Sequence, residues 1–316
     1  MLKKISIISP CYNEEKSLPL FFIEIKKLTK LLKNKAYLEF IVVDDYSKDR
    51  SLQLLKNYKK KNKSLRLITN PRNYGVYKTS YIGNSYATGE LIVPMFPVDL
   101  QDPPEVLYKM IMLKLKSTKT GIFGRKIHRE ESFLLRNSRN FFYYVLEKFS
   151  KNIVNKNTGE FGIVDRWVID DCLKRNDYYP YLRAMISNIT SDLDFVDYVW
   201  KKRLSGKSNF NFFDLYDHAI NAFLSSGTKF FRPLIFSGFL FGLFAVFFSF
   251  LNIFLYLFDK SLFETKGIAS LLILLSLFSG FVITFLGLLG EYVTAIHSQI
   301  RGINSVSKQK DWEVDE

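Results

Sequence analysis

The sequence has only two cysteines, Cys11 and Cys172, and no recognisable secretion signal at its start. The cysteines give no metal-ligand spacing and fit a protein kept in a reducing compartment. The first apolar run is too short for a signal peptide, because it soon reaches the acidic pair Glu14 and Glu15. We therefore expect the N-terminal region to stay in the cytoplasm.

Charged residues are absent from two long stretches, Pro233–Phe258 and Gly267–Gly290. A bilayer core of about 30 Å needs about 20 helical residues, and both stretches exceed that length. Neither has a polar face, which argues against two core helices of a soluble domain. We predict a transmembrane hairpin. Lys and Arg residues precede the first stretch and follow the second. This distribution predicts that both chain ends face the cytoplasm, as in a multi-pass inner-membrane protein.

The formal charge of +14 comes from residues 1–232, because the rest of the chain has more acidic than basic residues. Such a surplus implies an anionic partner, for which nucleic acid is one candidate. A basic domain beside membrane helices more simply faces anionic lipid and phosphorylated substrates. We therefore predict no nucleic-acid partner.

Short apolar runs rich in β-branched residues alternate with helical patterns in the N-terminal region. This alternation predicts an α/β fold with a mostly parallel sheet and flanking helices. The clearest helix follows Ser17 as its cap, with apolar residues at helical spacing. The predicted strands are residues 5–9, 39–44, 65–69, 91–95 and 120–123, and the apolar helix positions are Leu18, Phe22, Ile25, Leu28 and Leu32.

Polar loops follow the first four predicted strands, where an open α/β sheet binds its ligands. The loops read PCYNEE, DDYSKDRS, NPRNYG and PVDLQDPPE. Asp44 and Asp45 can accept hydrogen bonds from a ribose or a base, or can cap the next helix. Asn73 and Gly75 form a turn in which glycine lets the backbone approach a ligand.

Eight motifs occur in one order along nearly the whole chain: SPCYNEE, IVVDDYSKDRS, NPRNYG, ATGELIVPM, VDLQDPPE, GEFGIVDR, RLSGKSNF and FFRPLIF. In these motifs the chain resembles the inverting family 2 glycosyltransferases of GT-A fold, specifically the membrane-anchored dolichyl- and undecaprenyl-phosphate sugar transferases. The resemblance implies a nucleotide-sugar-binding half at 1–125 and an acceptor-binding half with interfacial amphipathic helices at 126–230. Two transmembrane helices within 231–292 and a cytoplasmic tail at 293–316 would follow.

The resemblance also implies the reaction. A sugar would pass from a UDP- or GDP-linked donor to polyprenyl (undecaprenyl) phosphate on the cytoplasmic membrane face, for cell-envelope glycan or polysaccharide synthesis or modification. Mg²⁺ or Mn²⁺ would be the cofactor, because the leaving nucleoside diphosphate gains negative charge that a cation can neutralise. Small residues in the predicted spans, such as Gly280 and Gly287, are compatible with a homo-oligomer.

Site residues follow from the same resemblance, motif by motif. Asp99 and Gln101 would bind the metal, and Asp99, Glu160 and Asp102 are the catalytic candidates. The nucleotide-sugar site would comprise Pro10, Tyr12, Glu14, Asp44, Asp45, Asn73, Gly75 and Asp99. The acceptor phosphate would be held by Lys126, Arg129, Arg136, Arg203, Lys207 and Ser208.

One departure affects the metal site. Relatives carry an aspartate two positions before Asp99, whereas this chain has Pro97. Three interpretations stay open: metal bound through Asp99, Gln101 and the diphosphate; Asp102 moving into the site; or a catalytically weak protein that binds a sugar nucleotide, a lipid or a different donor. Glu160 and Gly162 also stand where relatives commonly have Asp and Arg, which suggests an altered donor or acceptor pocket.

The segment 126–149 combines clustered cations with an apolar face. It fits a helix lying at the lipid headgroups, or an ordinary amphipathic helix packed on the sheet. A phosphate acceptor has a second pKa near ~6 and attacks without a general base. A sugar hydroxyl would need one, such as Glu160 or Asp102. The second functional hypothesis is therefore a glycosyltransferase that extends a lipid-diphosphate-linked saccharide.

Overall fold

The computed structural model describes residues 2–128, 158–175, 180–201, 267–300 and 310–312, together with individual residues between 240 and 258. The chain divides into two compact units, Met1–Ser226 with Ile303–Glu316, and Gly227–Gly302. The predicted boundary between a donor half and an acceptor half, at residue 125, stays a prediction.

Strands and helices alternate through the first unit, as the sequence pattern predicts. The first half contains β1 Lys3–Cys11, α1 Leu18–Leu32, β2 Ala36–Asp44, α2 Ser51–Lys61, β3 Leu65–Thr69, α3 Val76–Ser85, β4 Leu91–Val93 and α4 Pro104–Lys114. It continues with β5 Gly121–His128, β6 Thr158–Asp165, α5 Arg166–Lys174, α6 Leu182–Ile189, β7 Leu193–Val199 and, after the second unit, β8 Lys310–Asp311. All five predicted strands are confirmed, whereas β6, β7 and β8 were not predicted.

The strands form one sheet in the order β7-β5-β6-β4-β1-β2-β3-β8. Strands β4, β1, β2 and β3 are parallel neighbours, and β5 is parallel to β7. Strand β6 runs antiparallel to both β4 and β5, and β8 runs antiparallel to β3. The predicted α/β fold with a mostly parallel sheet is therefore confirmed.

Both faces of the central strands are buried, which explains their continuous apolar sequences. Ile7 and Phe40 point into a core shared with α1, α2 and α4, while Ile8 and Ile41 point into a second core shared with α5 and α6. Because alternate residues of a strand face opposite sides, each strand contributes to both cores. The polar ends of the parallel strands are therefore held at one edge of a rigid, three-layered domain.

Helix α1 follows its predicted pattern with two differences. Phe21 is fully buried, and Phe22 packs only partly against the core, stacking on Tyr58 at 3.9 Å between ring centroids. Ser17 makes no side-chain capping hydrogen bond to the helix; its hydroxyl donates instead to Glu14 Oε2 at 2.6 Å. The predicted cap position is confirmed, since Ser17 is the N-cap residue of α1, but its hydroxyl is bonded to the preceding loop and not to the helix.

The segment after the second unit covers the edge of the sheet. Strand β8 pairs with β3, and the Trp312 amide donates to the Leu67 carbonyl at 3.1 Å. The Arg66 guanidinium donates to Asp311 Oδ2 at 2.5 and 3.1 Å, and the Lys56 ammonium lies 3.8 Å above the Trp312 ring. The strand pairing satisfies backbone groups that an open edge strand would expose, and the side-chain contacts hold β8 against the sheet.

Within the second unit, helix α7 spans Gly267–Ile300, and apolar side chains such as Leu277, Ile283 and Leu286 are exposed. Among the residues that the structure describes, no helix meets the length and hydropathy needed to cross a membrane. The predicted transmembrane hairpin is thus not confirmed. Most of its first helix, 233–258, lies outside the described residues.

Candidate active site

A cavity of about 790 Å³ opens at the carboxyl ends of the parallel strands. Ligand sites in proteins commonly measure roughly 300 to 1,000 Å³, so the cavity has the size of a small-molecule site. The structure brings ten predicted residues together on its wall: Pro10, Tyr12, Glu14, Asp45, Asn73, Gly75, Asp99, Gln101, Asp102 and Lys126.

The loops that build this cavity hold unusual backbone conformations. Across the described part of the chain, positive φ angles occur at Asn13 (54°), Tyr46 (65°), Gly75 (82°) and Leu100 (53°). Each follows a different one of the strands β1, β2, β3 and β4. Because positive φ is costly for residues other than glycine, such residues concentrate where a site over-determines the backbone.

Asp45 organises the loop after β3. Its carboxylate accepts hydrogen bonds from the Tyr74 amide at 2.9 Å, the Gly75 amide at 2.9 Å and Asn70 Nδ2 at 2.8 Å. The Gly75 amide also donates to Asn73 Oδ1 at 2.9 Å. Asp45 is only 3% exposed. Its carboxylate both lines the cavity and, through these hydrogen bonds, fixes the turn that contains Asn73 and Gly75.

Asp44 lies differently from its neighbour. It is 1% exposed, one carboxylate oxygen accepts a hydrogen bond from the Ser47 amide at 3.2 Å, and the other has no hydrogen-bond partner among the described residues. Burial raises the pKa of this carboxyl. Asp44 is not part of the cavity wall, and its predicted contact with a base or ribose stays a prediction.

The loops after β1 and β2 are joined by reciprocal hydrogen bonds. The Asn13 amide donates to Ser47 Oγ at 3.0 Å, and the Glu15 amide donates to Asp49 Oδ2 at 3.1 Å. In return, the Lys48 amide donates to Asn13 Oδ1 at 2.8 Å. This rigid wall was not predicted, because the partners lie more than thirty positions apart in sequence.

Asp99 and Gln101 are hydrogen-bonded to each other in the loop that follows β4. Asp99 is 6% exposed, and its Oδ1 accepts a hydrogen bond from the Gln101 amide at 3.2 Å. Gln101 Nε2 donates to the Lys201 carbonyl at 3.3 Å. Pro97 lies on the same wall, and its carbonyl accepts a bond from the Leu100 amide at 3.4 Å, which closes the turn.

A divalent cation fits the chemistry of this wall. Within the described ranges no three His, Cys, Asp or Glu side chains form a ready metal cluster. Mg²⁺ needs only one or two protein carboxylates when a substrate phosphate supplies further oxygens. The wall carries more acid than base: Glu14, Glu15, Asp45, Asp49, Asp99 and Asp102 against Lys16 and Lys126. A diphosphate would meet net repulsion here unless a cation accompanied it.

Asp102 and Lys126 line the cavity together with Trp200, which directly follows β7, and Asp102 is bonded by Tyr198 of that strand. The Tyr198 hydroxyl donates to Asp102 Oδ1 at 2.5 Å, and Lys126 Nζ lies 3.8 Å from the same oxygen. Lys126 Nζ also lies 4.2 Å from the centroid of the Trp200 ring. The sequence analysis missed Trp200, because the strand that precedes it, Leu193–Val199, was not predicted; its apolar residues, interrupted by Asp194 and Asp197, were the available signal.

Glu160 is placed away from the cavity wall. It is 6% exposed on β6, its Oε1 accepts a hydrogen bond from the Arg183 amide at the start of α6 at 3.4 Å, and its Oε2 has no partner among the described residues. Burial raises the pKa of Glu160 to about 8. At neutral pH the group is therefore mostly protonated. A catalytic role for Glu160 stays a prediction.

The remaining acceptor candidates lie outside the described residues. These are Arg129, Arg136, Arg203, Lys207 and Ser208, together with most of the predicted amphipathic helix 126–149. Their assignment to the acceptor phosphate stays a prediction.

The fold and its acidic cavity can be compared with known families. The sequence profile of Glycosyl transferase family 2 matches residues 6–171, slightly more than half of the chain. The chain therefore belongs to glycosyl transferase family 2 and is a glycosyltransferase with a GT-A-like fold.

Particular relatives cover almost the whole chain. The SfII prophage-derived bactoprenol glucosyl transferase of Shigella flexneri is 26% identical over 301 residues, covering 94% of this chain and 95% of the relative. The undecaprenyl-phosphate 4-deoxy-4-formamido-L-arabinose transferase of Photorhabdus laumondii is 26% identical over 312 residues, covering 95% of this chain and 91% of the relative. Among solved structures, a mannosyltransferase from Pyrobaculum calidifontis in complex with GDP-Man and Mn²⁺ has a TM-score of 0.50 at 16% identity, covering 95% and 88% of the two chains.

Proposed function

We propose that this protein transfers a sugar, with inversion, from a UDP- or GDP-linked donor to polyprenyl phosphate at the cytoplasmic face of the membrane. The observation that carries the proposal is the acidic cavity at the strand ends, which gathers ten of the residues assigned by family resemblance. Support for the acceptor comes from relatives that are named as bactoprenol and undecaprenyl-phosphate transferases.

The nucleotide half of the donor is assigned to the loops after β1, β2 and β3. Tyr12 offers an aromatic ring on this wall, and Asp45 fixes the turn at Asn73 and Gly75 through backbone hydrogen bonds. A preformed wall lowers the ordering cost of binding. The chain's own contribution at this end is therefore orientation of the donor.

The diphosphate is assigned to the centre of the cavity, where Asp99 and Gln101 would hold Mg²⁺ or Mn²⁺. When bound, the cation supplies charge neutralisation for the departing nucleoside diphosphate. Asp99 is oriented for this role by the turn that Pro97 and Leu100 close. Pro97 contributes no carboxylate, so the site relies on fewer protein ligands than its relatives have.

The acceptor is assigned as a phosphate because the site needs no general base for it. A phosphate dianion is already deprotonated at neutral pH, since its second pKa is near ~6. Glu160, with a pKa of about 8, is mostly protonated under the same conditions and does not line the cavity, so it is not placed to act as a base there. Lys126 would meet the acceptor charge from inside the cavity, with Arg129 and Arg136 as further candidates.

The membrane anchor in this proposal rests on the sequence. The stretches 233–258 and 267–290 lack charged residues and each exceed the roughly 20 residues that span a bilayer. We assign both to the membrane, which would make the protein multi-pass and place the acceptor lipid within reach.

The test uses the full chain in detergent, with Mn²⁺, undecaprenyl phosphate and a panel of UDP- and GDP-sugars. We expect one donor to yield a singly glycosylated lipid phosphate by mass spectrometry. The Asp99→Asn variant is the matched control and should yield little or none. Extension of a lipid-diphosphate-linked saccharide, with no product from undecaprenyl phosphate, would replace this proposal by the other transferase hypothesis.

A further inference from the structure

The part of the cavity wall formed by Asp102, Lys126 and Trp200 differs from the acidic remainder, because it combines an indole ring with a cation and an anion. Trp200, 38% exposed, lines this wall with Asp102, and the Lys126 ammonium lies 4.2 Å from its ring centroid and 3.8 Å from Asp102 Oδ1. The Lys126 and Asp102 side chains are only 13% and 10% exposed. An indole ring with a partly buried cation and anion beside it provides one apolar surface and a few fixed polar groups, the usual composition of a small-molecule subsite.

Trp200 is held in place from both sides along the chain. Two residues before it, the buried Tyr198 donates its hydroxyl to Asp102 at 2.5 Å. One residue after it, the Lys201 amide donates to the Gln101 carbonyl at 3.0 Å, and Gln101 Nε2 donates back to the Lys201 carbonyl at 3.3 Å. The loop that carries Asp99 therefore positions the indole.

The order of strands places this group relative to the donor. The nucleotide residues follow β1, β2 and β3, and Asp99 follows β4. Lys126 belongs to β5, and Trp200 directly follows β7. A nucleotide sugar is joined in the order base, ribose, diphosphate and sugar. With the diphosphate at Asp99, the sugar lies on the side of β5 and β7.

We infer that Trp200 is a specificity-determining residue that receives the apolar face of the transferred sugar, with Asp102 bonding its hydroxyl groups. The inference rests on the proposed function for the direction of the donor. Asp102 then belongs to the sugar subsite, where the hydrogen bond from Tyr198 and the nearby Lys126 ammonium hold its carboxylate in place. Trp200 contacts the sugar and not the nucleotide.

The test separates the sugar from the nucleotide. The full chain in detergent with Mn²⁺ is titrated by calorimetry with UDP-glucose and GDP-mannose, and with UDP and GDP alone. We expect Trp200→Ala to raise the Kd of the bound nucleotide sugar roughly tenfold and to leave the Kd of the free nucleotide unchanged. Trp200→Phe should recover most of the loss, because it keeps an aromatic face. Trp167→Ala, at an exposed tryptophan on α5 that does not line the cavity, is the control and should change neither Kd.

Each other outcome is decisive. Equal losses for nucleotide and nucleotide sugar, or no loss for either, would overturn the sugar assignment. An unchanged Kd for the nucleotide sugar together with a raised KM for undecaprenyl phosphate would assign Trp200 to the acceptor instead. If Trp200→Ala abolishes the contribution of the sugar to binding but the unaltered chain transfers sugar to no lipid, the proposed reaction is wrong and the sugar subsite is supported. An unaltered chain that binds no nucleotide sugar would overturn both.

Discussion

Replacing Glu160 by glutamine should remove a specific pH dependence of stability. Burial raises the pKa of Glu160 from 4.5 to about 8. Between these two values the folded chain holds a proton at Glu160 that the unfolded chain has released. Stability must therefore fall as pH rises through this window and level off above it, because the unfolded state binds fewer protons.

The magnitude follows from the shift. Each pH unit inside the window costs the folded state roughly 1 kcal/mol, so the full effect is on the order of a few kcal/mol. Glutamine does not titrate, and its amide can still accept the hydrogen bond from the Arg183 amide. The variant should match the unaltered protein near pH 5 and become progressively more stable towards pH 8.

The assay is the melting temperature of the full chain in detergent between about pH 5 and pH 9, with exposed Glu105→Gln as the control. The difference between the Glu160→Gln and unaltered profiles isolates this one group from all others. Parallel profiles across the range would refute the account of a buried, protonated carboxyl. The same variant should keep its transfer rate within about tenfold, whereas loss of a general base costs roughly 10² to 10⁴.

Three further substitutions test the cavity and the sheet edge. Asp45→Asn replaces one acceptor oxygen with a donor facing backbone amides, and should destabilise the loop by about 2 to 4 kcal/mol and weaken nucleotide binding; unchanged UDP or GDP affinity would contradict its role. Pro97→Asp restores a carboxylate and should lower the Mn²⁺ concentration for half-maximal donor binding roughly tenfold; an unchanged value would show that the missing ligand is unimportant. Asp311→Asn weakens the pairing with Arg66 and should cost about 1 to 2 kcal/mol, measured as a lower Tm, and should lower the Tm more than the exposed control Asp192→Asn does.

The central sheet was predictable because its strands are buried on both faces. Runs such as ISIIS are apolar throughout and end in polar loops, so pattern and position agree in β1 to β5. Strand β6 was missed as a strand, since glycines interrupt its apolar residues. At Gly162 a side chain would collide with the Phe123 ring on the paired strand, so the arginine that the family resemblance leads one to expect at this position has no room here.

The site was predictable in its membership but less so in its roles. Loops after parallel strands meet at one edge, so Tyr12, Asp45 and Asp99 fall together as expected. Whether a carboxylate faces the cavity or the protein depends on long-range packing. Glu160 therefore proved to be buried against α6, and Trp200 entered the site from a strand that the sequence pattern did not reveal.

The claim that a lipid phosphate is the acceptor can be tested most directly by comparing two lipids that differ only in that group. The full chain with Mn²⁺ and its preferred nucleotide sugar would be given undecaprenyl phosphate or undecaprenol, and glycolipid formation followed by mass spectrometry across neutral pH. We predict a glycosylated phosphate from the first lipid, no product from the second, and little change in either result with Glu160→Gln. Efficient transfer to undecaprenol, abolished by Glu160→Gln, would contradict the account.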